Sequence, residues 1–123
     1  MRYELEPNQY VLRVYDDHAE NYVASALIRV YGDRAWVSSI SSPRLFEAMP
    51  QYFNELLDRL NVICLEGPMS RAMARAVRIA SRGWANFEIT RQAKCAGRMM
   101  PWVVLTRADP QRPSGSRYGR ETA

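Results

Sequence analysis

The sequence predicts an α+β domain whose mixed, mostly antiparallel sheet is built in the order β-β-β-α-β-α-β-β. Three observations predict it. Apolar and polar residues alternate through much of residues 9–40, the period of half-buried strands. Two later stretches, residues 43–61 and 69–82, carry apolar side chains at helical spacing. Between them Val62-Ile63-Cys64-Leu65 is apolar without a break, the pattern of a strand buried on both faces.

Taken in order, Tyr10, Leu12 and Val14 alternate with Val11, Arg13 and Tyr15, giving a strand over residues 9–15. The polar run Asp16–Asn21 is a turn. Tyr22, Ala24, Ala26, Ile28 and Val30 share one face of a second strand. Gly32-Asp33 makes a tight turn into a third strand over residues 34–40. Ser42-Pro43 then reads as a helix start, with Ser as cap and Pro in the first turn. Leu45, Met49, Phe53, Leu56, Leu57 and Leu60 follow at helical spacing, and Pro50 predicts a break near Ala48. Strand 62–66 should lie parallel to strand 34–40, because a helix carries the chain between them. Gly67-Pro68 is expected to open the second helix and Gly83 to end it. Residues 85–91 and 100–106 close the sheet as an antiparallel pair, and both helices can cover its faces. Residues 1–107 thus read as one domain, and 108–123, rich in Pro, Gly, Ser and Arg, as a basic flexible tail.

The 123 residues hold one domain comfortably, and a hydrophobic fraction of 47% excludes a wholly disordered chain. No run of about 20 apolar residues is present to span a membrane. The acidic start Met1–Pro7 lacks the apolar core of a signal peptide. The two cysteines fit a reduced compartment, so the expected location is the cytoplasm. Charge is divided: residues 1–67 sum to −4 and residues 68–123 to +8. Sixteen of the seventeen cations are Arg, whose planar fork suits carboxylates and phosphates.

The element order resembles the GNAT family of N-acetyltransferases over roughly residues 9–106, without that family's first strand and first two helices. Gly83-Trp84 resembles the Gly-Phe that ends the family's last helix, and the strand carrying Trp102 resembles its final hairpin arm. The resemblance implies acetyl-CoA, held by its pyrophosphate on a loop of the type Gln/Arg-x-x-Gly-x-Gly/Ala after the third strand. Ser38-Ser39-Ile40-Ser41-Ser42-Pro43-Arg44 stands in that place, with no glycine and with a proline that lacks a donor. The tyrosine that serves the family as proton donor falls near Ile79, an aliphatic residue. The chain is similar to small acetyltransferase-like proteins packaged inside short-tailed bacteriophage virions. The shared features are a Trp-containing third strand, a Leu/Phe-rich helix, a short buried strand, a basic helix, a Gly and a closing hairpin. That similarity implies a non-catalytic virion component acting in interaction or assembly, without a cofactor, and the interior of a virion as the alternative location to the cytoplasm.

The residues themselves point the same way. Arg71, Arg75, Arg78 and Arg82 fall on one side of the second helix, and no acid occurs between Glu66 and Glu88 to balance them. Met73, Ala76, Val77 and Ala80 lie opposite and should pack on the sheet. An uncompensated stripe suits an anionic partner: an acidic protein, another copy of the chain, or a phosphate backbone. Protein is the expected partner, since the stripe has no aromatic residues among its arginines. Arg112, Arg117 and Arg120 form a second basic segment. His18, the single histidine, sits in a polar turn that needs no metal to explain it, and no metal site is expected. Cys64 reads as core, with no catalytic residue beside it. Two other classes stay open: an acetyl-CoA-dependent N-acetyltransferase using Ser39, Ser41, Ser42 and Arg44, and a basic nucleic-acid binder.

Overall fold

In the computed structural model, residues 2–6, 10–18 and 20–108 are described. Alternation organises the first half as expected. β2 (Val11–Tyr15), β3 (Tyr22–Tyr31) and β4 (Arg34–Ser38) form an antiparallel meander. Leu12, Val14, Ala24, Ala26, Ile28, Ala35 and Val37 are buried on one side of it. One strand was not expected from the sequence. β1 (Arg2–Glu6) pairs antiparallel with β2, so the sheet has the first strand that the family resemblance took to be missing. Its inward residues are Tyr3 and Leu5, opposite Val14 and Leu12.

Pro50 breaks the next segment where the spacing predicts. A 3-10 helix (Pro43–Glu47) precedes α1 (Met49–Leu60), and Ser42 caps the former by accepting a hydrogen bond from the Arg44 amide at 3.1 Å. Phe53, Leu56, Leu57 and Leu60 form the buried stripe of α1. β5 (Cys64–Pro68) then runs parallel to β4, pairing Arg34 with Cys64, Ala35 with Leu65 and Trp36 with Glu66.

Gly67-Pro68 does not open the second helix. Both residues complete β5, pairing with Val103 and Trp102 of β7 (Arg98–Arg107). Ser70 caps α2 (Arg71–Ala80) instead, its hydroxyl accepting from the Met73 amide at 3.1 Å. Arg82 consequently lies beyond α2, in the turn before β6 (Ala85–Cys95). Of the packing residues expected on α2, Val77 is buried and Met73 and Ala76 are half-buried, but Ala80 is exposed and Ala74 takes its place in the core. β6 and β7 are longer than predicted because Ala96-Gly97, both at positive φ, supplies a tight hairpin turn.

The complete sheet has seven strands in the order β1-β2-β3-β4-β5-β7-β6, with β4–β5 the parallel pair. Apolar residues from α1, α2 and the 3-10 helix join a single cluster with Leu65, Val103 and Leu105. Both helices therefore lie on one face, rather than one on each. The opposite face carries Cys64, Trp102 and Val104 as a smaller buried cluster, with no helix over it among the described residues.

Candidate functional site

Three places bear on function: the turn after β4, the outer side of α2, and the helix-free face of the sheet. The turn contains the four residues that would grip a coenzyme. Ser39 sits at φ 53. The Ser41 amide donates to the Ser25 carbonyl at 2.9 Å, and the Ser41 hydroxyl accepts from the Ser25 amide at 2.8 Å. The Arg44 amide is bound to the Ser42 hydroxyl, and the Leu45 amide to the Ser42 carbonyl. Pro43 has no amide hydrogen to offer. The Arg44 guanidinium is engaged by Asp16 at 2.9 Å and by Glu47 at 3.5 Å. The turn is thus a stitch to β3 and a helix cap.

Behind it, Leu45, Phe46, Met49 and Met69 fill the space over Val37 and Leu65. The cavity left there is about 10 Å³, roughly the room one water needs. Gly67 closes the gap between the parallel strands. A Cβ on it would lie 2.2 Å from the Val37 carbonyl oxygen, so β4 and β5 abut where their hydrogen-bonded register ends.

The architecture is shared with solved structures. TofI, in a ternary complex with an inhibitor and MTA, superposes with a TM-score of 0.56 at 13% identity, covering 84% of this chain and 68% of that one. The ribosomal-protein-S18-alanine N-acetyltransferase from Escherichia coli gives 0.51 at 14% identity, covering 88% and 76%. The fold is GNAT-like. No family model matches the sequence, and no curated protein matches it. Ser39, Ser41, Ser42 and Arg44 are brought together, yet the amides of Ser41, Arg44 and Leu45 are satisfied by the protein itself, and the space behind them is packed. Ile79, where the family's acid would stand, is an exposed aliphatic side chain on α2.

On α2, Arg71, Arg75 and Arg78 are all exposed, and none forms an ion pair with a described acid. Arg82 is exposed in the following turn, so the stripe is three helical arginines and one that flanks them. Arg112, Arg117 and Arg120 lie outside the described residues, as does the whole segment 109–123.

The helix-free face holds a group that the sequence reading missed. Glu66 on β5 is 6% exposed. It accepts from Arg34 Nε and, at 3.3 Å, from Arg34 Nη2; Trp102 Nε1 donates to its Oε1 at 2.8 Å. The Cys64 thiol lies 3.8 Å from Oε2. Burial alone would push the Glu66 carboxyl up, but hydrogen bonds from Arg34 and Trp102 outweigh it and hold the group below its ordinary range. Burial also pushes the Cys64 thiol up, so it is not an activated nucleophile. Around this group stand Trp36, edge-to-face with Trp102 at 5.0 Å, and Tyr31, tilted on Trp36 at 4.6 Å. Arg34 and Glu66 are 32 residues apart, and the parallel register of β4 and β5 brings them into contact. That register is a tertiary fact with no local sequence signal.

His18 is exposed at φ 65 in the turn after β2. Among the described residues, no three His, Cys, Asp or Glu side chains gather as metal ligands. No described helix is long and apolar enough to cross a membrane.

Proposed function

We propose that this chain is a GNAT-like domain that does not transfer acetyl groups and acts as a docking or assembly component. The observation that carries the reading is the turn after β4, whose Ser41, Arg44 and Leu45 amides are bound to Ser25 and Ser42 rather than offered to a pyrophosphate. The surface proposed for docking is the basic side of α2, and an acidic protein surface is its partner. Arg112, Arg117 and Arg120, outside the described residues, are proposed to take part in the same docking. A phage particle as the setting rests on the sequence resemblance alone.

Calorimetric titration of the full chain with acetyl-CoA into the hundreds of micromolar is expected to give no saturable heat. Saturable heat would overturn this reading in favour of the second, an N-acetyltransferase holding its cofactor through Ser39, Ser41, Ser42 and Arg44, which acetyl transfer to an amine would then have to show. The likeness to the S18-alanine N-acetyltransferase favours that reading.

The docking surface has its own test. Arg75→Glu with Arg78→Glu should abolish binding of a fluorescent oligoglutamate peptide. Each exposed site should change stability by no more than about 0.5 kcal/mol. Unchanged peptide binding would place docking elsewhere, and loss of the fold would make these arginines structural.

A further inference from the structure

We propose that the helix-free face of the sheet binds single-stranded nucleic acid, with bases stacking on Tyr31 and Trp36 and phosphates meeting Arg29 and Arg91. A contiguous exposed apolar patch on a folded domain marks an interaction site, where scattered single side chains do not. Here Tyr31 is 48% exposed, Trp36 40%, and Leu27 beside them 43%. They share this face because β3 alternates: Ala24, Ala26 and Ile28 enter the core, and Leu27, Arg29 and Tyr31 point the other way. Trp36 is directly opposite Arg29 across the β3–β4 ladder.

The rings are held in place. Trp102 is buried, tied to Glu66 by its indole nitrogen, and braces Trp36 edge-to-face. Tyr31 leans on the other side of Trp36. A pair of braced, half-exposed rings on an open sheet is a stacking platform of the kind that takes unpaired bases irrespective of sequence.

Charge decides between occupants. The acids that the ladders place on this face are Glu4, Glu6, Glu66 and Glu88. Arg13 pairs with Glu4 at 3.5 Å, and Arg34 holds Glu66. Arg2, Arg29, Arg91 and Arg98 then share this face with Glu6 and Glu88, an excess of arginine, and the Arg91 guanidinium lies over the Trp102 ring at 4.1 Å. A second copy presenting the same face would set arginine against arginine. A strand of phosphates with unstacked bases satisfies guanidinium and ring together. This surface is separate from the arginines of α2, which lie beyond the helical layer on the other side of the sheet.

The test is a fluorescence-anisotropy titration of the full chain with a labelled twelve-nucleotide oligothymidine at low salt. Saturable binding is expected, with log K falling against log salt at a slope of about −1.4 for two phosphate contacts. Trp36→Ala should weaken it roughly ten-fold or more, the loss of one stacked base, and Trp36→Phe should restore most of that. Arg29→Gln should lower the slope by about 0.7 with the fold intact. No saturable binding, or binding indifferent to both Trp36→Ala and Arg29→Gln, overturns the proposal. So does binding abolished by Arg75→Glu with Arg78→Glu, since the polyanion would then sit on α2. A self-association seen by sedimentation and dissolved by Trp36→Ala would make a second copy the occupant instead.

Discussion

Gly67→Ala should be the most damaging single methyl in this protein. The added Cβ would lie 2.2 Å from the Val37 carbonyl oxygen and meet its carbon at 3.3 Å. Both are backbone atoms of β4, so no side-chain rotation relieves the clash, and the parallel strands must separate. Separation would disturb the core contacts of Val37 and Leu65 and the Trp36–Glu66 register on which Arg34 depends. Overpacking against a buried backbone belongs among the severe substitutions, at roughly 4 kcal/mol or more. For a domain of this size that lowers the melting temperature by about 15–30 °C. A thermal melt followed by circular dichroism reads it directly. A variant that melts within a few degrees of the wild type would mean the strands do not approach as described.

Glu66 carries the second large effect, and it depends on pH. Glu66→Leu leaves the Trp102 indole N–H without its acceptor and Arg34 without its carboxylate. Arg34 is 42% exposed and regains water, so the expected loss is near the low end for a broken buried pair, about 3 kcal/mol. Glu66→Gln keeps the shape and an acceptor for Trp102 and isolates the charge. The folded carboxyl titrates below its unfolded value, so its stabilisation is complete above the unfolded value of about 4.3. It disappears as the pH falls through the lowered folded value. The stability gap between wild type and Glu66→Gln, measured by urea unfolding, should therefore be full at pH 7 and shrink towards zero in acid. A gap that persists unchanged in acid would mean that the Glu66 charge is not what stabilises the fold.

The sequence made much of this architecture legible, because period-two burial is a local property. Ala24, Ala26 and Ile28 identify β3, the run at Val62–Leu65 identifies β5, and Pro50 marks the break before α1. β1 escaped because an edge strand with only Tyr3 and Leu5 turned inward carries too little apolar signal among its acids. The boundary of α2 was misjudged at Gly67-Pro68, a pair that opens helices in isolation but here has β7 to pair with on one side and Val37 pressed against it on the other. In the candidate sites, Arg71, Arg75 and Arg78 were legible from helical spacing. Trp36 was visible as a strand residue, but its exposure follows from where the helices pack. Alternation says which side chains share a face and not which face stays uncovered. Glu66 was invisible as a site for the same reason that it is stable: its partners come from β4 and β7.

The closing ribbon outruns the rest of the sheet. β5 reaches β7 only from Trp102 to Thr106, whereas the pairs Ala93–Met100, Lys94–Met99 and Cys95–Arg98 continue past it with each other as ladder partners. Amide protons there answer to a two-stranded zipper rather than to global unfolding. Deuterium should enter from the Ala96-Gly97 tip and advance towards Trp102, slowing abruptly where β5 joins the ladder.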